Sequence, residues 1–399
     1  MGAQPERPPV VIASRIFAPE SAAAAFRLDA LAKSLVTRGA RVRVLTSRPA
    51  GSPAHEVRDG VEVLRARTLR GADGYIRGYA QYLSFDVPVF LRILLQRPTP
   101  GVLVVEPPPT TGVAVRLAAG LRRIPYVYYA ADVWSDAASS LRVPRPVVRA
   151  LRAVEGVALR GATAVIAVNE GVADRVRALG AGGVEVVPNG IDTEVFTPDA
   201  AADIGDPADP WGSARYLVYA GTASEWQGAG IFLDAFALVA DEFPDLHLVF
   251  AGGGTDMAEI GLRGAGNPRV HVLGQRDAAR AAHLQARAEA ALVSIVPGRG
   301  YDFAYPTKVL AALACGTPVV FAGEGPARAD VRDFELGAVA DFEAGSTADA
   351  IRAVLDSPRT PGSHLAPGRL RAWVLEHRSL AATGRRGAGV VLGAVRGGR

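Results

Sequence analysis

Short apolar runs alternate along this chain with longer stretches whose apolar positions recur at helical spacing. Pro9-Val10-Val11-Ile12-Ala13 reads as a buried strand, Leu28 to Arg38 as a helix stopping at Gly39, and Arg41-Val42-Arg43-Val44-Leu45 as the next strand. The strand Val102 to Val105 follows, ended by Pro107-Pro108-Pro109; then come a helix over Thr111 to Arg122 and the strand Tyr126 to Tyr129. A helix near Val147 to Gly161 and the strand Ala164 to Val168 close this half. Continuous apolar strands alternating with helices predict parallel sheets covered on both faces, the α/β class.

Turn residues then interrupt the pattern. Thr197 to Ser213 holds Pro198, Gly205, Pro207, Pro210 and Gly212, which is the composition of a linker. A second alternation begins with the strand Tyr216 to Ala220, the helix Ile231 to Phe243, and the strands Leu246 to Ala251 and Val270 to Leu273. It continues through the helix Ala278 to Ala288, the strand Ala291 to Ile295, the helix Lys308 to Ala314 and the strand Pro318 to Ala322. The expected division is an N-terminal domain over 1–199, a C-terminal domain over 200–368, and a last segment, 369–399. That segment reads as a helix followed by a frayed Gly/Arg tail. Two doubly wound units put ligands where strand C-terminal ends meet.

Composition narrows the class. With 399 residues, 49% hydrophobic and 21% charged, the chain is globular and long enough for two or three domains. The single cysteine, Cys315, excludes an intramolecular disulfide and suggests a reducing compartment. Only Lys33 and Lys308 are lysines, which leaves 42 of the 44 basic residues as arginine. Scattered arginines in an Ala, Gly and Val-rich background do not form a nucleic-acid surface, and no nucleic-acid partner is expected.

Met1 to Pro9 lacks the apolar core of a signal segment, and no stretch has the length of a membrane-spanning helix. Tyr75 to Leu95, with Tyr75, Tyr79, Tyr82, Phe85 and Phe90 beside arginines, has two readings: a helix lying on a membrane surface, or a packed helix beside a loop.

Several motifs could carry chemistry. Gly221-Thr222 and Gly252-Gly253-Gly254-Thr255 each follow a buried strand and precede a helix. There, glycine lets backbone N–H groups approach an anion, although tight strand-to-helix turns use it too. Neither fits a dinucleotide fingerprint. Pro306-Thr307-Lys308 opens a helix that ends at Ala314-Cys315-Gly316. A cation at a helix start opposes the macrodipole, so either a phosphate-bearing ligand or a salt bridge must account for Lys308. Arg299, between Gly298 and Gly300, is a second anion candidate. In the first half, Asp132 and Asp136, flanking Trp134, follow a strand end, where carboxylates face the crevice or cap a helix. Phe17-Ala18-Pro19-Glu20-Ser21 forms the loop after the first strand. The six histidines show no metal-ligand spacing, and no metal is expected.

Val187-Pro188-Asn189-Gly190-Ile191-Asp192, running on to Phe196-Thr197-Pro198, resembles the PNGxD…FxP signature of retaining GT-B glycosyltransferases of the family-4 type. Pro19-Glu20 resembles their first-loop motif. Glu106-Pro107-Pro108 with Tyr126 to Trp134 is similar to a stretch found in a bacterial polysaccharide-synthesis subgroup. Gly221 with Trp226-Gln227-Gly228, and Pro306-Thr307-Lys308 with Ala314-Cys315-Gly316-Thr317-Pro318-Val319-Val320, resemble the second-domain motifs in the right order.

The resemblance implies a GT-B fold, two Rossmann-like doubly wound parallel-sheet domains facing across a cleft, with the last segment returning to the first domain. It implies a nucleotide-sugar donor, UDP-linked, at Gly221, Thr222, Gly252, Gly253, Gly254, Arg299, Pro306, Thr307, Lys308 and Glu324. It also implies a glycan or polyprenyl-linked acceptor near Pro19, Glu20, Trp134 and Asp136. Asp132 and Lys308 would be the catalytic residues. Donor phosphate oxygens would help deprotonate the acceptor, and basic side chains would stand in for a metal, so no cofactor is expected. The expected activity is a retaining hexosyl transfer in cell-surface polysaccharide or glycolipid synthesis. Its expected place is the cytoplasm, with the inner face of the membrane as an optional contact. The alternatives are a catalytically silent nucleotide- or partner-binding subunit, or an NDP-sugar epimerase or phosphorylase. Three departures bear on this. Ala311 stands where the family has a ribose-contacting carboxylate, whose partner position falls at Phe303 beside Asp302. Ser224-Glu225 replace a basic residue, and no histidine stands near Asp132. Glu324, between Gly323 and Gly325, is the expected substitute for ribose recognition.

Overall fold

The computed structural model describes residues 9–20, 22–71, 76, 78–136, 144–201 and 211–397. Ser21, Tyr75, Arg77, residues 1–8, the linker centre 202–210 and the last two residues lie outside the described residues. Contacts divide the chain into one unit of residues 1–189 with 380–399, and a second of residues 190–379.

The first unit contains β1 (Val10–Ala13), α1 (Ala23–Thr37), β2 (Val42–Ser47), β3 (His55–Arg58), β4 (Val61–Ala66), α2 (Tyr79–Leu94), β5 (Val102–Val105), α3 (Pro109–Arg122) and β6 (Tyr126–Ala130). It continues with α4 (Arg145–Arg160), β7 (Ala164–Ala167), α5 (Glu170–Ala178) and β8 (Val184–Val186). Its eight strands run in the order β3-β4-β2-β1-β5-β6-β7-β8, and every pairing except β3 with β4 is parallel. That exception is a hairpin not anticipated from the apolar pattern. Asp59 and Gly60 both have positive φ, 51° and 77°, as an Asp-Gly type I′ turn requires. β3 is a mostly exposed edge strand, so it lacks the apolar run by which the buried strands are recognised.

In the second unit, β9 (Arg215–Ala220), α6 (Ile231–Val239), β10 (Leu246–Ala251), α7 (Met257–Gly264), β11 (Val270–Val272), α8 (Ala278–Arg287) and β12 (Ala290–Ile295) follow one another. Then come α9 (Thr307–Ala314), β13 (Val319–Gly323), α10 (Pro326–Asp333), β14 (Gly337–Ala340), α11 (Ala344–Asp356) and α12 (Pro367–His377). The sheet order is β11-β10-β9-β12-β13-β14, all parallel. Alternate strand residues feed two separate cores. Val218, Val249, Val293 and Phe321 lie in one, and Leu217, Leu248, Leu292 and Val320 in the other. Both faces are therefore covered, and the strand ends are where loops are free to build a site.

Three sequence boundaries shift. The units divide at 189/190 rather than at 199/200, because Ile191 is already tied to the second unit: its N–H donates to the Arg378 carbonyl at 2.8 Å. Part of the expected linker is ordered, with a 3-10 turn at Pro198–Ala201 and a buried Trp211 packed 5.3 Å from the Tyr216 ring. The expected last segment, 369–399, is split. α12 stays with the second unit, while α13 (Leu380–Gly397) belongs to the first and packs on α1. The Gly/Arg tail is thus helical through residue 397, not frayed. Its glycines allow close approach, and a Cβ on Gly384 would lie 2.3 Å from the Ala30 carbonyl oxygen.

α2 packs one face of the aromatic segment against its unit and leaves another exposed. Phe85, Val89 and Ile93 are buried against the unit, while Leu83, Val87, Leu91 and Leu95 are at least 50% exposed, one turn apart. Leu117 and Leu121 of the neighbouring α3 are exposed as well. Among the described residues no helix is long and apolar enough to cross a membrane.

Candidate functional site

The C-terminal ends of β9 and β10, the segment after β11, Ala281 and Gln285 of α8 and the first turn of α9 surround a cavity of about 770 Å³ within the second unit. Two glycine turns shape one wall. The Gly221 N–H donates to the Ala251 carbonyl at 2.7 Å and the Ala223 N–H to that of Gly253 at 2.8 Å, so the loops after β9 and β10 lie against each other. The approach leaves no room for side chains. A Cβ on Gly252, at φ +152°, would stand 2.0 Å from the Gly221 oxygen, and one on Gly254, at φ +124°, 2.0 Å from the Ala223 oxygen.

Lys308 enters from the first turn of α9. Its Nζ donates to the Thr222 carbonyl at 2.7 Å and lies 4.8 Å from the centre of the Tyr219 ring. The Tyr219 hydroxyl donates to the same carbonyl, also at 2.7 Å. Among the described residues no carboxylate pairs with Lys308, so the salt-bridge reading is not what the structure contains. Half-buried and without a counter-charge, the ammonium is held down to a pKa of about 8 by burial. A second cation, Arg276, lines the cavity. It donates to the neighbouring Gln275 carbonyl at 3.0 Å, and no acid pairs with it among the described residues. Among the described residues no Asp, Glu or His lines the cavity. Two cations, glycine-exposed backbone and a helix N-terminus without a lining acid make a site for a polyanion.

The cavity brings together Gly221, Thr222, Gly252, Gly253, Gly254, Pro306, Thr307 and Lys308. It omits Arg299 and Glu324, both of which are exposed and outside the lining. Ala311, the position of the family carboxylate, does line the cavity. Asp302 closes the Arg299 loop instead, accepting from the Gly298 N–H at 2.9 Å. Sequence reasoning missed Gln275, Arg276, Gln285 and Tyr305 as lining residues. It also missed the local role of the PNGID segment, whose Ile191 lines the cavity together with Phe196 just beyond it. Arg371 fixes that segment by donating to the carbonyls of Thr193, Phe196 and Ala314 at 2.8–3.0 Å. Trp226 lines the cavity and stacks on Tyr301, with ring centres 4.7 Å apart.

In the first unit the candidate acceptor residues have different fates. Glu20 pairs with Arg70 at 3.0 Å, and Pro19 beside it is exposed. Asp136 pairs with Arg175 at 3.3 Å and lies 3.8 Å from Arg152, so it serves as an ion-pair partner. The N–H groups of Trp134 and Ser135 donate to the buried Glu155 carboxylate at 2.8 and 3.1 Å, which caps the helical turn there. The Trp134 ring meets Tyr82 edge-on at 5.8 Å. Asp132 is exposed just past the end of β6 and forms no ion pair among the described residues. The neighbouring buried pair Arg27–Glu106 went unrecognised in the sequence. Arg27 also donates to the Asn189 side chain at 3.2 Å, tying the PNG asparagine to the β5 end. Among the described residues no cluster of His, Cys, Asp and Glu could hold a metal ion.

Two Rossmann-like parallel-sheet units, the second with an acid-free cationic cavity at its strand ends, define the GT-B architecture. Residues 23–190 match the family model described as a glycosyl transferase 4-like domain, and residues 214–357 the model described as glycosyl transferases group 1. The chain thus carries both domains of GT-B glycosyltransferases of this family 4 and group 1 type. It is 30% identical over 200 residues to the phosphatidyl-myo-inositol mannosyltransferase of Mycobacterium tuberculosis, covering 49% of this chain and 50% of that one. It is 29% identical over 189 residues to a D-inositol 3-phosphate glycosyltransferase of an Arthrobacter species, covering 45% and 43%. The chain therefore spans about half the length of the curated relatives it matches. Sucrose-phosphate synthase from Thermosynechococcus elongatus shares the fold over 98% of this chain and 97% of its own, with a TM-score of 0.63 and 18% identity.

Proposed function

We propose that this chain transfers a hexose-type unit, with retention, from a nucleoside-diphosphate sugar to a glycan or lipid-linked acceptor in cell-surface polysaccharide or glycolipid synthesis. The observation that carries the reading is the pairing of Lys308 and Arg276 in a cavity whose lining holds no carboxylate among the described residues. In this reading the Lys308 ammonium neutralises the diphosphate, and charge developing on the leaving phosphate meets the α9 N-terminus at Pro306 and Thr307. Donor phosphate oxygens take the acceptor proton, and Asp132 of the first unit acts on the acceptor side. The chain's own cations do the work of a metal. Uridine diphosphate is the proposed carrier. Both curated relatives have names that include an inositol group, so inositol phosphates and phosphatidylinositol belong in the acceptor panel alongside polyprenyl-linked glycans. Ala311 favours a second reading, a silent subunit that binds nucleotide without turnover.

Incubation of the purified chain with UDP- and GDP-sugars and the acceptor panel tests the activity, and nucleotide binding without product under any combination would favour the silent subunit. Lys308→Ala is expected to weaken nucleoside-diphosphate binding by about 10- to 100-fold, the worth of a charge-assisted contact to phosphate. Calorimetry giving wild-type affinity for that variant would remove Lys308 from the diphosphate site.

We further propose that the chain works at the inner face of the cytoplasmic membrane. Its contact would be the exposed stripe Leu83, Val87, Leu91 and Leu95, with the exposed Leu117 and Leu121 of the neighbouring α3, and the exposed Arg97 and Arg123 follow the ends of these two helices. Co-sedimentation with vesicles containing anionic lipid at low salt is expected. Replacing Leu83 and Leu91, which flank Val87 on the stripe, with Glu should abolish it; equal pelleting of wild type and variant would refute this contact.

A further inference from the structure

We infer that Gln285 supplies the hydrogen-bond acceptor through which the cavity engages the nucleoside part of its ligand, a ribose hydroxyl or a base N–H. The inference rests on the nucleotide-binding reading above. Gln285 is 2% exposed, lines the cavity, and its side-chain Oε1 has no hydrogen-bond partner among the described residues. Of the buried side-chain atoms left without a partner among the described residues, it alone belongs to this cavity's lining. Buried polar atoms in folded proteins are almost always satisfied, so an orphan at a cavity wall marks where a ligand group belongs.

Backbone contacts fix the place of Gln285 on the cavity wall. Asp277 caps α8, accepting from the Arg280 N–H at 2.7 Å. The Gln285 carbonyl accepts from the Ala288 N–H at 3.1 Å and from the Thr317 hydroxyl. Ala281, one turn earlier on α8, lines the same cavity, and so does Ala311 on α9. Two methyl side chains leave space for a ring where longer ones would fill it.

The chemistry then selects which part of the ligand meets it. A carbonyl oxygen needs a donor, and a diphosphate at neutral pH offers only acceptors. The phosphates are matched by Lys308 and Arg276; the amide is matched by the hydroxyls or N–H groups of a nucleoside. Glu324 is exposed and stands outside the lining, whereas Gln285 is in it.

The test titrates UDP, GDP, 2′,3′-dideoxy-UDP and inorganic pyrophosphate into wild type and Gln285→Leu by calorimetry. Gln285→Met, closer in length and shape, replaces the leucine variant if its thermal melt shows disruption. The expected result is a loss of about tenfold or more in nucleoside-diphosphate affinity for Leu or Met, with pyrophosphate binding unchanged. Dideoxy-UDP binding wild type as weakly as UDP binds the leucine variant identifies a ribose hydroxyl. Dideoxy-UDP binding like UDP, while the leucine variant is impaired, identifies a base N–H. Wild-type UDP and GDP affinity in the Leu or Met variant overturns the inference, as does an equal loss of pyrophosphate affinity. If wild type binds none of these probes, the nucleotide reading itself fails, and this inference fails with it.

Discussion

Lys308 illustrates how one residue can be set apart by its surroundings. A lysine normally titrates near 10.5, and burial without a counter-charge brings this one to about 8. The unfolded chain therefore binds this proton more tightly than the folded one. The folded state is penalised below pH 8, and stability gained from this group rises as pH increases from about 8 toward 10.5. A bound diphosphate reverses the sign locally, because a dianionic neighbour favours the ammonium. Nucleoside-diphosphate binding should thus take up a proton near pH 8.5 and take up none from this group below about pH 7, with affinity falling as pH rises through about 8 and above. Calorimetry at about pH 8.5 in two buffers of different ionisation enthalpy measures the uptake; identical observed enthalpies in both buffers would show that Lys308 is not the group neutralised. The lysine was legible in the sequence because it is one of only two in the chain and opens a helix against the dipole. Arg276 was not legible, since one arginine among 42 carries no signal until the fold sets it beside a glycine turn.

Among the elements, the loops after β9 and β10 carry the sharpest constraint. Gly252, Gly253 and Gly254 look alike in sequence, yet the backbone treats them differently. Gly252 and Gly254 have positive φ, and added Cβ atoms would overlap backbone oxygens, whereas a Cβ on Gly253 meets nothing within 4 Å. Gly252→Ala is therefore expected to destabilise the second unit by at least about 2–3 kcal/mol and to abolish nucleotide binding, since backbone must move to admit the methyl. Gly253→Ala should keep both within about 0.5 kcal/mol and threefold, respectively. Chemical denaturation with parallel nucleotide titration separates the two, and a Gly252→Ala protein as stable as wild type would contradict the packed-loop geometry. The wall was readable as a pair of glycine turns because each follows a buried apolar run. Which glycine matters depends on the partner loop, and that information is not local. The same limit explains the missed β3–β4 hairpin, whose outer strand faces water and so has no apolar run, although its Asp59-Gly60 turn was a usable signal. Gln285 likewise sits on a helix that reads as an ordinary amphipathic one; only its neighbours reveal an unpartnered amide oxygen.

At the scale of the whole chain, the two alternations of strand and helix announce two parallel-sheet units, but the chain's return is written more faintly. The Gly/Arg stretch from Gly384 reads as the composition of a frayed end, and instead is part of α13, Leu380–Gly397, which packs on α1 within the first unit. The reason is steric. Gly384 and Gly387 carry no side chain, so the helix settles on α1 with Gly384 over the Ala30 carbonyl and Gly387 beside Leu31, while Ala382, Ala388, Val391 and Ala394 are buried. The Thr383 hydroxyl also donates to the Pro188 carbonyl at 3.0 Å, fixing the segment next to the PNG turn. A first unit built from residues 9–189 alone would expose the α1 face that these residues cover. Truncation after Ser379 should therefore cost the first unit on the order of 3–5 kcal/mol, from lost burial of one valine and several alanines. Hydrogen exchange read by mass spectrometry locates the loss. Amides of β1 and α1 should exchange faster in the truncated chain, while those of β9, β10 and β12, which belong to the second unit, keep their protection. Gly384→Leu should produce a milder version of the same pattern by wedging the two helices apart. Unchanged protection in α1 after truncation would mean that α13 adds nothing to the first unit's core, and uniform loss across both units would mean that the boundary at 379/380 does not divide the chain's stability as it divides its contacts.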